Sequence, residues 1–429
     1  MATIKNPYWF SPAQSELSSS RLSLDFGLRS ADLFYRELVV PQLGSVWFVR
    51  QLSWALGALA LRHEMHREGG NVPKATAISH GIEALACKLE FHSSGEEAFG
   101  RILGRRAFAR DRENEIWNFQ RLRQRVYYVQ NTHRQATTRA IRTEAGLGFC
   151  RGTRFDLLEL EPVGKALGDA FLRQRIAPNL GGSLRNWLLG WLRADREVPN
   201  GAPTLWRALC PTQPSSEEQA LVQSRLLDTS SDGCRKRQRL AKALGRAAAM
   251  PDIEDLVVPR LRREGHVQQA HEVLAARAFG AMLDRMREVT GEITRIVESG
   301  RGGVPVAAVA RDANMRKALD RLRKSAVNLV DKAAEASVKE TTSLALTKEV
   351  KTRDNCALVR FLVPRVEGLL AMADGKISRG QLFRRIDSAE PLEGVEEGAA
   401  SIEPDHTGRT FRIANLHAIL RDTVPRGTP

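Results

Sequence analysis

The stretch from Asn131 to Arg173, NTHRQATTRAIRTEAGLGFCRGTRFDLLELEPVGKALGDAFLR, constrains this chain most, because helix periodicity, turn chemistry and an arginine-rich surface agree on one shape within it. Val163, Ala166, Leu167, Ala170 and Phe171 recur at helical spacing, which predicts a helix over 162–172 with one apolar face. Pro162 suits its first turn, where a missing N–H costs nothing. Ahead of it, Leu147 to Cys150 and Arg154 to Leu160 read as two short strands joined by Arg151, Gly152 and Thr153, the glycine being free to take positive φ. A helix over 131–144 precedes them, with Ala136 and Ala140 on one side and Arg134, Gln135, Thr138 and Arg142 roughly opposite. This order resembles the last part of a winged helix-turn-helix. Used on DNA, such a module places helix 131–144 in the major groove, with Arg134, Gln135, Thr138, Arg139 and Arg142 as base or phosphate contacts and Arg151 and Arg154 reaching the backbone from the wing. Used otherwise, it docks proteins.

With 429 residues the chain exceeds one ordinary core, so several subdomains are expected. The fold class expected is mainly α, a multi-subdomain helical protein with the winged segment and its small β-hairpin embedded. Sixty-five Lys and Arg against 50 Asp and Glu, a formal charge of +15, favour a polyanionic partner or an acidic protein surface. Eleven arginines fall between Arg101 and Arg142 against Asp111, Glu113 and Glu115, which adds Arg121, Arg123 and Arg125 to the expected contacts. Trp117, Phe119, Tyr127 and Tyr128 among them are read as core, since Ile116, Phe119, Leu122 and Val126 recur near helical spacing. The run CRKRQRLAKALGR at 234–246 holds six basic residues and no acid, so Arg235, Lys236, Arg237 and Arg239 are expected either on a solvated helix face or as a secondary phosphate contact.

Along the chain the expected segments are an N-terminal helical domain over 1–100 and the basic helices with the winged module over 101–176. A helical connector follows over 177–260, then a long-helix domain over 261–386. An acidic linker over 387–408 and a strand–helix element over 409–429 complete the chain. In the long-helix domain Ala276, Phe279, Met282, Leu283, Met286, Val289 and Ile293 form one stripe and Leu319, Leu322, Val327, Val330 and Ala334 a second, as in an antiparallel pair. Asn355 to Ala373 reads as a further helix broken by Pro364, RGGVP at 301–305 as a turn, and Phe411 with Ile413 as a short strand before the last helix. The linker, acidic from Asp387 to Asp405 and without Lys or Arg, is read as a flexible loop able to fold over a basic surface.

The chemistry-bearing patterns are few. His63 and His66 stand at i and i+3, whereas two zinc ligands on one helical face need i and i+4. Asp156, Glu159, Glu161 and Lys165 share residue types with metal-dependent nucleases, but their places are already taken by a wing strand and a helix start. No Walker A, nucleophile-elbow or dinucleotide-binding pattern occurs, and no cofactor or bound metal is expected. Five scattered cysteines without CxxC spacing fit a reducing compartment. The apolar run Leu38 to Ala60 contains Pro41, Gln42, Arg50 and Gln51, which predicts a buried helix or helix pair rather than a membrane span, and MATIKNPYWF lacks the pattern of a secretory signal. A cytoplasmic protein is expected.

Several blocks together, YWF near the start, RSADLFYRELVVPQLGSVWFVRQLSWAL, GRRAF at Gly104 to Phe108, GLGFCRGTRFDLLELEPVGKALGDAF and the late FRIANLHAILRD, resemble uncharacterised winged-helix-containing bacterial proteins of phage-defence and mobile-element islands. The resemblance implies an accessory subunit working beside a helicase, nuclease or ATPase. The leading expectation is therefore a non-catalytic subunit that binds nucleic acid, duplex DNA in the first instance, within an anti-phage defence complex. The alternatives are a scaffold that docks partner proteins through its helical surfaces and a metal-dependent nuclease.

Overall fold

Runs rich in Ala, Leu, Arg, Glu and Lys, punctuated by Ser, Thr and Asp at helix starts, make the chain mainly helical, with two small antiparallel sheets. The computed structural model describes residues 26–69, 71–94, 100–110, 117–143, 146–194, 198, 202–245, 247, 249–300, 303–366, 368–380 and 410–424. The acidic linker and the YWF block near the start lie outside the described residues. The helices run in chain order as α1 (Arg29–Val39), α2 (Val49–Glu68), α3 (Ala75–Ser94), α4 (Arg105–Arg110), α5 (Phe119–Leu122), α6 (His133–Thr137) and α7 (Pro162–Leu172). Then come α8 (Leu184–Ala194), α9 (Pro203–Leu209), α10 (Ser216–Leu226), α11 (Asp232–Leu244), α12 (Val258–Arg263) and α13 (Val267–Ser299). Last are α14 (Val306–Arg311), α15 (Ala313–Glu335), α16 (Thr341–Thr352), α17 (Asn355–Leu362) and α18 (Ile413–Asp422). The strands are β1 (Cys150–Arg151), β2 (Glu159–Leu160), β3 (Val304–Pro305), β4 (Leu370–Ala373) and β5 (Lys376–Arg379).

The described chain divides into two units, the larger formed by residues 36–273 with 410–424 and the smaller by 26–35 with 274–380. In the larger unit α2 and α3 are buried on nearly every side, as helices at the centre of a core must be. Arg50, the charge that interrupts the apolar run, is fully buried in α2 against Glu218 of α10 at 3.4 Å and donates to the carbonyls of Ala208 at 2.5 Å and Gln213 at 2.6 Å. Those carbonyls and the carboxylate replace the water it gives up. Among the described residues no helix is long and apolar enough to cross a membrane.

The apolar face read in 162–172 is the contact of α7 with α2: Leu167, Ala170 and Phe171 are buried. Gly57 makes the approach possible, for a Cβ there would stand 2.6 Å from the Phe171 ring. The strands beside it are shorter than their apolar patterning suggests. They pair only Cys150 with Leu160 and Arg151 with Glu159, because a 3₁₀ turn at Phe155–Leu157 occupies the length read as the second strand.

In the smaller unit the α13 stripe is buried as expected from Ala276 to Ile293. Tyr35 stacks on Phe279 at 4.5 Å, and burial pushes its hydroxyl up to about 12. The second stripe has a different phase. The buried set on α15 is Met315, Ala318, Leu319, Leu322, Ala326, Leu329 and Ala333, so Val327 and Ala334 turn outward. Asn355 to Ala373 is not one helix. The helix stops at Leu362, a 3₁₀ turn spans Val363–Val366, and Asp374 and Gly375, both at positive φ, turn β4 back into β5. RGGVP likewise ends in a strand, since Val304 pairs with Ile377 and gives a three-stranded sheet of order β3-β5-β4. In the larger unit the strand read at Phe411 is a turn, with Phe411 and Arg412 at φ of 46° and 70° ahead of α18.

Candidate nucleic-acid interface

Helix α6 begins with a cap made by its own residues. Thr132 accepts the N–H of Gln135 at 3.3 Å and the Gln135 side chain accepts the N–H of Thr132 at 3.1 Å, a capping box. The remaining orphan donors of its first turn are met from α3. Glu83, fully buried, accepts the N–H of His133 at 2.7 Å and of Arg134 at 3.0 Å, and the Tyr128 hydroxyl at 2.8 Å. Burial pushes Glu83 up to about 7, against these three hydrogen bonds and the nearby Arg134, all of which favour its anion. Burial also pushes His80 down to about 4 and His133 down to about 3.

The helix is five residues rather than the fourteen positions of 131–144. Thr137 and Thr138 bond back to the carbonyls of His133 at 2.7 Å and Arg134 at 2.8 Å. Beyond them the carbonyls of Ala140, Ile141 and Arg142 are taken by the N–H groups of Leu147, Phe149 and Gly148, so the chain folds back instead of winding on. Gly164 lets α7 start against this segment, since a Cβ there would stand 2.0 Å from the Phe149 carbonyl oxygen.

These contacts sort the residues expected to touch nucleic acid. Gln135 gives its side-chain oxygen to the cap and Thr138 donates its hydroxyl to its own helix, so each has a local structural role. Arg134 is half-buried with its guanidinium over the Phe155 ring at 5.2 Å. Burial lowers its pKa, Glu83 and Asp156 oppose that, and Arg125 adds to it, so Arg125 and Arg134 stand close enough to repel. Arg123, Arg125 and Arg154 are exposed and form no ion pair among the described residues, while Arg121 is half-buried over the Tyr127 ring at 4.2 Å. Arg151 is exposed but paired with Glu161 at 2.5 Å, and Arg142 is half-buried in a bridge to Cys150. Arg139 lies 3.6 Å from Glu37, a carboxylate that Arg412 also contacts, and Arg36 and Arg139 both stand near enough to Arg412 to repel it.

The run at 234–246 splits by helix phase. Arg237, expected as a phosphate contact, is fully buried in α11 and donates to the carbonyls of Leu226 at 3.0 Å, Arg225 at 2.8 Å and Pro41 at 3.3 Å. Lys236 pairs with Glu272, and Arg235 pairs with Asp232. Arg239 is half-buried, and Lys242, which was not among the expected contacts, is exposed at the spacing i+3 from it.

Of the acids considered for metal chemistry, Asp156 and Glu161 are engaged elsewhere and Glu159 is exposed. Asp156 accepts the N–H and hydroxyl of Thr76 at 2.8 and 3.2 Å, capping the start of α3, and Glu161 holds Arg151. Among the described residues no cluster of three His, Cys, Asp or Glu side chains is placed to hold a metal ion.

A second set of basic side chains, outside every sequence expectation, lies in the smaller unit. Arg311, Arg316, Arg360 and Lys376 are exposed and form no ion pair among the described residues. An open cleft of about 730 Å³ is lined by Ala310, Arg311, Arg316, Asp354, Asn355 and Cys356. The signal that could have pointed there is AMADGKIS at 371–378, an Asp-Gly pair between short strand-forming runs. No family model, curated protein or solved structure matches this chain.

Proposed function

We propose that this protein is a nucleic-acid-binding subunit without chemistry of its own, and that it holds duplex DNA through phosphate contacts from the 121–154 surface of the larger unit. The observation that carries this reading is the arrangement of Arg123, Arg125 and Arg154, exposed without carboxylate partners among the described residues, beside an Arg134 that stands within repulsive range of Arg125. Holding like charges together costs stability unless an anion compensates, and a phosphate backbone is such an anion. The order of helix, short antiparallel strand pair and helix over 133–172 supports the reading of a small winged module. Its helix α6 spans only about 7.5 Å at 1.5 Å per residue, so it grips backbone and shape rather than reading bases. Service beside a helicase, nuclease or ATPase in a defence system rests on the sequence resemblance alone.

The test is fluorescence anisotropy of a short labelled duplex with the full chain, titrated across roughly 50 to 200 mM salt. Affinity is expected to fall steeply with salt. Replacing Arg123, Arg125 and Arg154 together by Ala is expected to weaken binding and to flatten the log–log salt slope by about one for each phosphate that is no longer neutralised. Absence of duplex retention at low salt rules the reading out.

A further inference from the structure

The sheet of the smaller unit has a chain order with a definite meaning. It runs strand β3, helix α14, then α17, then the hairpin β4-β5, and β3 pairs with the outer side of β5 rather than with β4. Helix α14 packs on α17 although residues 312–354 intervene. Removal of that excursion leaves two short packed helices followed by an antiparallel hairpin whose last strand is closed by the strand ahead of the helices. This is the connectivity of a winged helix-turn-helix, with its turn expanded into the helical pair α15 and α16. Both ends of the excursion are closed by aspartates. Asp312 accepts the N–H groups of Asn314 at 2.9 Å and Met315 at 3.0 Å, and Asp354 accepts that of Ala357 at 2.8 Å. Arg323 fixes the return, donating to the Arg353 carbonyl at 3.0 Å and to the Asn355 side-chain oxygen at 2.8 Å.

We propose that this assembly is a second nucleic-acid interface, in which α17 enters the major groove of duplex DNA while Arg311, Arg316 and Lys376 hold the flanking phosphates. The proposal deepens the nucleic-acid reading above and rests on it for the class of ligand, though on none of the same residues. Leu358, Val359 and Leu362 anchor α17 inward, which leaves Cys356, Ala357 and Arg360 along its open side. Its eight residues run about 12 Å along the axis and its first turn carries short side chains. An α-helix with its side chains is about 10–12 Å across, which a major groove about 12 Å wide admits. Arg360 follows one turn later, with the reach to meet a guanine edge or a phosphate. Arg311 and Arg316 stand at the cleft beside the start of α17, and Lys376 stands at the tip of the hairpin. Of the acids nearby, Asp354 lines the cleft and caps α17, Asp312 caps α15 and lies 3.4 Å from Arg295, Glu349 pairs with Arg353 at 2.6 Å, and Asp374 stands in the hairpin turn.

The test uses the full chain and a short labelled duplex. Arg311→Glu with Arg316→Glu, both exposed and free of ion pairs among the described residues, is expected to weaken binding by about tenfold or more at low salt, and the corresponding pair of alanines to flatten the salt slope by about two. Circular dichroism melting checks that the variants remain folded. Cys87, Cys150, Cys210 and Cys234 are buried and Cys356 is not, so a photoactivatable reagent directed to Cys356 reports the site directly; crosslinking to the duplex, competed by unlabelled duplex, is expected. Folded variants that bind like wild type, together with no crosslink, overturn the proposal and leave the larger unit's role standing. A wild-type chain that retains no duplex overturns both.

Discussion

At the scale of single residues, burial decides what each arginine does. Arg235 and Arg237 stand two positions apart in one basic run, yet the first reaches solvent and the second is closed in among backbone carbonyls. A guanidinium withdrawn from water is stable only if acceptors replace it, so Arg237→Ala strips three carbonyls of their donors and is expected to cost about 3 kcal/mol. Arg235→Ala is expected to leave the melting temperature nearly unchanged, since an exposed pair contributes little. Thermal melts of the two variants check the contrast, and equal stability would mean that Arg237 is not buried in solution. The run CRKRQR shows the positive charge but not which of its members turns inward. That depends on Leu226, Arg225 and Pro41, which lie elsewhere in the chain.

At the scale of elements, close approach governs packing. Helix α7 lies against α2 because position 57 has no side chain, so Gly57→Ala is expected to destabilise the larger unit by about 1 to 3 kcal/mol, read as a lower denaturation midpoint. Unchanged stability would show that the two helices stand further apart. The helix over 162–172 is legible in the sequence because all its information is local: a proline at the first turn and an apolar face at helical spacing. Helix α6 is legible only at its start. Its cap is local, whereas its end is set by hydrogen bonds from residues 147–149 that no periodicity within 131–144 reveals. The hairpin β4-β5 escapes a sequence reading because the apolar run through Leu370 fits a helix as well as a strand, and the Asp-Gly turn alone separates the two.

At the scale of the whole molecule, the buried titratable groups near α6 set how stability responds to pH. His80 and His133 are held neutral in the fold at pH values where an unfolded histidine, titrating near 6.5, takes up a proton, so each loses stability as pH falls below that point. Glu83 acts in the opposite sense. Its folded value of about 7 exceeds the ordinary 4.5, so it gains stability as pH falls through that window. At these three groups the unfolded chain binds about one net proton more than the fold between about pH 6.5 and 4.5, a contribution that weakens stability by about 1.4 kcal/mol per pH unit on acidification. His417, which burial also lowers, acts in the same sense. His80→Gln is expected to flatten this limb in melts recorded across the window, and an unaltered slope would remove His80 from the account. The mainly helical class, the buried run around Arg50 and the face of α7 are legible in the amino-acid order, because helix propensity and periodicity act within a few residues. That α6 ends after five residues, that Arg237 faces inward, and that β3 meets β5 with four helices and β4 between them in the chain are set by the folded core. Each of these depends on partners distant along the chain, whose positions become defined only when the core closes.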